Sequence, residues 1–180
     1  WGDRVFVLTA IQSSKPAEAT PAETSSSSTN TSTTGGRPRG ASPSETPKDM
    51  FQFVVLCLDR KTGKTLWQKT ACETIPHEGH HKDHGYASAS PITDGKHVLA
   101  YFGSRGLYCY DMEGNLKWSK DFGRMHTRNG FGEGSSPALH GNTVVVNWDD
   151  EGDDDFIIAL NKETGEQLWR KARNESTGWS

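Results

Sequence analysis

Nothing in the 180 residues approaches an unbroken apolar run of about 18, so no segment reads as a transmembrane helix. Cysteine is scarce: Cys57, Cys72 and Cys109 form no CxxC and no vicinal pair, which excludes a disulfide framework or a zinc ribbon. Neither sign of charge dominates, since 20 Lys+Arg face 23 Asp+Glu for a net charge of −3. The bases are scattered rather than striped, which argues against nucleic acid as the main partner. An initiator Met and a signal-peptide apolar stretch are also missing, because the chain starts at Trp1. The expectation is a processed chain or a portion of a longer one. With 32% hydrophobic residues, the length suits one domain with a modest core.

The lack of apolar residues is sharpest between Gln12 and Asp49. These 38 residues hold 16 Ser or Thr, 5 Pro and 3 Gly, and contain no Val, Leu, Ile or aromatic residue. Such a segment buries too little apolar area to offset its ordering entropy. It is expected to be a disordered insertion loop within the first folded unit, and a recognition segment is the alternative, since Ser/Thr-Pro tracts can be modified or bound. Residues 1–11 and 50–180 are then the part that folds.

Within that part a repeat is present. Trp67, Trp118 and Trp169 are spaced by 51 residues each, and each ends a similar stretch. Asp59, Thr62 and Gly63 precede the first; Asp111 and Gly114 precede the second; Asn161, Thr164 and Gly165 precede the third. A second block recurs between them: Ser90-Pro91 leads to a strand-like run at 97–101, and Ser136-Pro137 leads to one at 143–146. The opening Val5-Phe6-Val7 fits the same place. Apolar runs of four to six residues, rich in Val, Ile and aromatics and bounded by Gly, Asp and Asn, predict four short strands per unit. In the second unit these fall at about 87–92, 97–102, 106–111 and 115–119. Glycine in each last turn permits positive φ, and Asp59, Asp111 or Asn161 can cap it. The fold class is therefore all-β, with four-stranded antiparallel blades of propeller size. Cys57 and Cys109 share a repeat position with Ala159 and are expected to be small buried strand residues, too far apart to bridge. Cys72 is placed in a loop, where a reactive role is the alternative to a structural one.

The Asp-x-x-Thr-Gly-x-x-x-Trp pattern, followed by Ser-Pro and a Gly-x-x-Val strand, resembles the PQQ-like β-propeller repeat. The match is closest at Asp59, Thr62, Gly63 and Trp67. It is weaker at Asp111, Gly114 and Trp118, and has Asn161 in place of Asp in the third copy. The resemblance implies that each Trp lies in a docking motif between blades. About three blade equivalents are present, fewer than the four to eight that usually close a ring, so the propeller is expected to be incomplete, a fragment of a longer one. Trimeric closure is the alternative.

Three clusters are candidates for chemistry. His77, His81 and His84 lie in the connector between blades one and two, where His77-Glu78-Gly79-His80-His81 matches His-Glu-x-x-His. Pro76, Gly79 and Gly85 argue against the helix a metalloprotease needs, which leaves a loop site for a divalent metal or a polar loop without one. Asp149, Asp150, Asp153 and Asp155 belong to a run of six acids around Gly152. Oxygen ligands around a glycine turn suit calcium, while a solvated hairpin tip is the plainer reading. Arg128 and Glu133, in the second connector, can bind a polar ligand or serve a loop hydrogen-bond network.

The resemblance implies two classes of function. One is a non-catalytic propeller binding a protein partner or extracellular ligand at the bacterial cell envelope, exported to the periplasm or cell surface, with no cofactor expected. The other is part of a quinoprotein dehydrogenase using PQQ and calcium. That enzyme type carries an Asp base and usually an adjacent Cys-Cys pair over the quinone, and neither is assignable here. The sequence favours the scaffold.

Overall fold

Eleven strands in three antiparallel sheets make up the described part of the chain. The computed structural model describes residues 1–13, 47–152 and 154–178. The first sheet has β1 (Arg4–Gln12), β2 (Phe51–Asp59) and β3 (Thr65–Thr74) in that order. The second runs β4 (Ile92–Thr93), β5 (His97–Tyr101), β6 (Leu107–Asp111) and β7 (Leu116–Lys120). The third repeats this with β8 (Ala138–His140), β9 (Thr143–Trp148), β10 (Phe156–Asn161) and β11 (Gln167–Ala172). Among the described residues there is no α-helix, only 3-10 turns at Gly103–Arg105 and Arg128–Gly130. The all-β partial propeller expected from the repeat is what the chain forms. The proposed 12–49 insertion falls largely on residues 14–46, which lie outside the described residues.

The inner strand β5 is apolar on both faces because blade two is packed between blades one and three. All five residues of β5 are buried, and their alternation sends them to two different cores. Val98 and Ala100 join Leu8, Phe53 and Val55 of blade one. Leu99 and Tyr101 join Val144, Val146 and Ile158 of blade three. The outermost strands β3, β7 and β11 are mostly exposed.

Two expectations need correction. The first strand of blade two is only Ile92–Thr93 rather than 87–92. Pro91 has no N–H to give a ladder, and the Ser90 N–H is spent on Ser136 Oγ at 3.0 Å, in the next Ser-Pro block. Cys72 lies in β3, not in a loop, because β3 extends to Thr74 and pairs Cys72 with Phe53.

The last turn of each blade is built as its residues dictate. Asp59 Oδ1 accepts the Lys61 and Thr62 N–H groups at 3.0 and 2.7 Å. Asp111 Oδ1 accepts those of Glu113 and Asn115, and Asn161 Oδ1 that of Glu163. Gly63, Gly114 and Gly165 have φ of 70°, 81° and 73°. A register shift follows each turn, after which Trp67, Trp118 and Trp169 stand opposite Cys57, Cys109 and Ala159. A bulky ring beside a small partner explains why that position carries Cys or Ala. Cys57 and Cys109 are fully buried, and all three thiols are free.

Trp67 and Trp118 join the blades. The Trp67 Nε1–H donates to the Met112 carbonyl at 2.9 Å, and Trp118 Nε1–H to that of Lys162 at 2.8 Å. Each ring covers the turn glycine of the following blade: a Cβ at Gly114 would sit 2.9 Å from the Trp67 ring, and one at Gly165 2.7 Å from Trp118. At the second joint Lys162 Nζ also meets Asp94 Oδ2 at 2.6 Å, and His97 lies between Asp94 and Glu163. Burial resists ionisation of Asp94. The Lys162 ammonium and the His97 and Lys96 N–H groups outweigh it and hold the carboxyl well below its ordinary value of 3.8.

Two predictions follow from the joints. Gly63→Ala and Gly165→Ala carry the same positive-φ penalty, roughly 1–2 kcal/mol, but nothing lies within 4 Å of a Cβ at Gly63. Gly165→Ala should therefore lose about 2 kcal/mol more, measured by urea unfolding. Asp94, depressed when folded, contributes stability above its ordinary value that is lost as pH falls through the lower folded value. Asp94→Asn should be less stable at neutral pH and show a shallower acid limb in pH-dependent melting.

Candidate functional site

The connectors between blades, residues 75–91 and 121–137, come together with the chain after β11, with the hairpin turn at 102–106 and with residues 149–152. Glycine, proline and short polar residues keep these segments out of the sheets, and their side chains clamp one to the next. Glu78 Oε1 of the first connector accepts both the N–H and the hydroxyl of Thr127 in the second. The Thr127 hydroxyl oxygen in turn accepts Gly132 N–H at 3.0 Å. One blade further on, Glu151 Oε1 accepts the N–H and hydroxyl of Thr177 at 2.9 and 2.6 Å. Thr177 Oγ1 accepts the Arg128 N–H at 2.9 Å.

Beneath these clamps lies a buried ion pair. Arg105 Nη1 meets Glu133 Oε1 at 2.8 Å, with the two side chains 7% and 10% exposed. Glu133 Oε2 also accepts the Ser104 N–H. The guanidinium carbon lies 5.5 Å from the Phe53 ring centre and 5.9 Å from that of Tyr86. Burial raises the Glu133 pKa, although Arg105 and the Ser104 N–H oppose the rise. Glu133 thus serves the loop network between blades. Its partner was not legible in the sequence, because Arg105 lies 28 residues away in a hairpin turn and no spacing rule links the two.

The candidate ligand residues are distributed as follows. The His77 Nε2–H donates to Met125 O at 2.6 Å, and burial depresses the imidazole pKa. Its ring faces His126 at 5.8 Å. His81 and His84 face each other with ring centres 6.1 Å apart, and His81 also packs on Phe131 at 5.1 Å. His77 is therefore turned toward Met125 and His126 of the second connector, while His81 and His84 face each other. Asp150 accepts the N–H groups of His126 and Gly152. Asp155 accepts those of Asp150 and Glu175. Asp149 is 3.2 Å from Arg173 Nε and accepts from Asn147. Asp153 lies outside the described residues.

Among the described residues no three His, Cys, Asp or Glu side chains are gathered as metal ligands. The three separate thiols and the capped carboxylates do not fit a quinone with an adjacent calcium. The surface left open carries Lys82, Asp83, His84, His126, Arg128 and Asn129, all exposed. It can recognise a ligand by charge and hydrogen bonding on a clamped backbone.

The sequence profile of the family described as "Outer membrane protein assembly factor BamB" matches residues 52–178. No curated protein matches the chain. Among solved structures, BamB from Moraxella catarrhalis is 21% identical with a TM-score of 0.45, over 69% of this chain and 33% of that one. A quinohemoprotein alcohol dehydrogenase from Pseudomonas putida HK5 is 20% identical at a TM-score of 0.42, over 67% and 19%. That of Comamonas testosteroni is 16% identical at 0.45, over 74% and 21%. The chain thus spans about a third of the length of the BamB structure it matches.

Removing one member of the buried pair leaves the other charge unpaired. Arg105→Met should cost about 3–5 kcal/mol near neutral pH, and Arg105→Met/Glu133→Leu should recover much of it. Without Arg105 the raised Glu133 pKa rises further. Stability present below the ordinary glutamate value should then be lost as pH increases through the folded one. Chemical unfolding at several pH values checks both.

Proposed function

We propose that this chain, which belongs to the PQQ-like propeller family described as the outer membrane protein assembly factor BamB, is a non-catalytic scaffold. Its interblade loops bind a protein partner at the bacterial cell envelope, and it is exported to the periplasm or cell surface. No resident cofactor or metal is part of this reading.

The observation that supports it is how the acids of the connectors and of the blade-three hairpin turn are used. Glu78, Glu133, Asp150 and Glu151 each accept backbone N–H groups of neighbouring loops. A general base needs a carboxylate that can take up a substrate proton, whereas these hold loops in place. A clamped loop presents exposed Lys82, His84, Arg128 and Asn129 with little ordering entropy left to lose on binding.

A photoreactive amino acid at Arg128 or His84, in the protein expressed in its native host, should give a discrete cross-linked adduct. The same residue at Glu166, on the outer turn of blade three, should give none. Absence of adducts from the loops, or equal labelling at Glu166, overturns the reading. Oxidation of alcohols or glucose after addition of PQQ and Ca²⁺ overturns it in favour of the dehydrogenase.

A further inference from the structure

Blades one and two do not close on each other as blades two and three do. Four residues after Trp118, Phe122 packs its ring on Tyr101, Trp148 and Phe156 at 6.2, 5.9 and 6.4 Å. Four residues after Trp67 the chain has Ala71, followed by Cys72. The smaller side chains accompany a cleft of about 390 Å³ at the first joint, with Cys72, Ile75 and His77 on one side and Tyr108, Lys120 and Arg124 on the other. That volume falls within the range of small-ligand sites, roughly 300–1,000 Å³.

The charges in this cleft do not balance. Arg105 also borders it but is neutralised by Glu133. Lys120 and Arg124 form no ion pair among the described residues, while Asp121 is the single carboxylate of the lining and accepts the Gly123 N–H at 2.9 Å. Two unpaired cations against one acid leave a single excess positive charge. That matches one carboxylate better than a phosphate dianion, and Ile75 and Tyr108 offer apolar surface for the stem that carries it.

From this geometry we infer that the cleft binds the carboxylate of an acidic peptide segment, with an aspartate or glutamate head between Lys120 and Arg124 and an apolar neighbour on Ile75 and Tyr108. None of the exposed loop residues Lys82, His84, Arg128 and Asn129 lines the cleft, and the site depends on the protein-binding reading only for taking a peptide rather than a metabolite.

Cys72 reports on occupancy, because Cys57 and Cys109 are fully buried and Cys72 borders the cleft. The probes are the capped peptide Ac-Leu-Glu-Leu-NH₂, its glutamine counterpart and inorganic phosphate, each at low ionic strength. The glutamate peptide at about three times its Kd should slow thiol modification about fourfold. The glutamine peptide and phosphate should not, and 0.5 M salt should erase the protection. Amide chemical shifts of Gly106 and Gly123 read the same binding without relying on thiol reactivity. Lys120→Gln/Arg124→Gln should abolish both signals with unchanged melting and leave cross-linking from Arg128 and His84 intact. No protection together with no shift change, equal effects from the glutamine peptide or phosphate, or binding that survives the double substitution overturns the proposal.

Discussion

An indole seated on a glycine turn is the contact on which the rest of this molecule depends. Each of Trp67 and Trp118 lies in one blade, covers the turn glycine of the next, and ties its Nε1–H to a carbonyl there. The seat requires positive φ, absence of a Cβ and a carbonyl aimed at the ring, and the Asx-capped turn supplies all three. It also requires a small residue across the sheet, which is why Cys57, Cys109 and Ala159 stand where they do. Once two blades are held at that spacing, inner strands such as β5 are buried on both faces and can be apolar throughout.

The fold was legible because this joint leaves marks at fixed distances. Tryptophans 51 residues apart, preceded by a capping residue and a glycine, encode the turn, the bulge and the interface together. The first strand of blade two was less legible because its pairing is limited by Pro91 and a side-chain acceptor on Ser136, a tertiary partner that local pattern does not contain. Cys72 reads as a loop residue for a related reason. The outermost strand faces solvent, so its polar composition resembles that of a loop.

The loop face was legible only as a location. Acids grouped by their nearness in sequence, such as Asp149, Asp150 and Asp155, turn to different partners: Asp150 and Asp155 accept from backbone N–H groups, while Asp149 accepts from the Asn147 side-chain amide. Imidazoles behave the same way: His77 turns to Met125 of the second connector, while His81 and His84 face one another. Many connector side chains find their partners in another segment, 48 or 49 residues away for His77, Glu78 and Thr177 and 24 to 28 away for Asp150, Glu151 and Glu133. Composition within one loop therefore predicts its chemistry poorly.

The hairpin of blade one has a further consequence. Strands β1 and β2 pair without interruption from Arg4 with Asp59 to Gln12 with Phe51, and the Ser13 N–H still reaches the Met50 carbonyl at 2.7 Å. The ladder is thus complete at its neck, whatever length of chain follows. Closing a longer loop costs only about 0.6 kcal/mol per doubling. This end of the sheet is therefore a port at which the scaffold can gain or lose sequence without renegotiating its core, and new binding functions can be added there by insertion rather than by substitution.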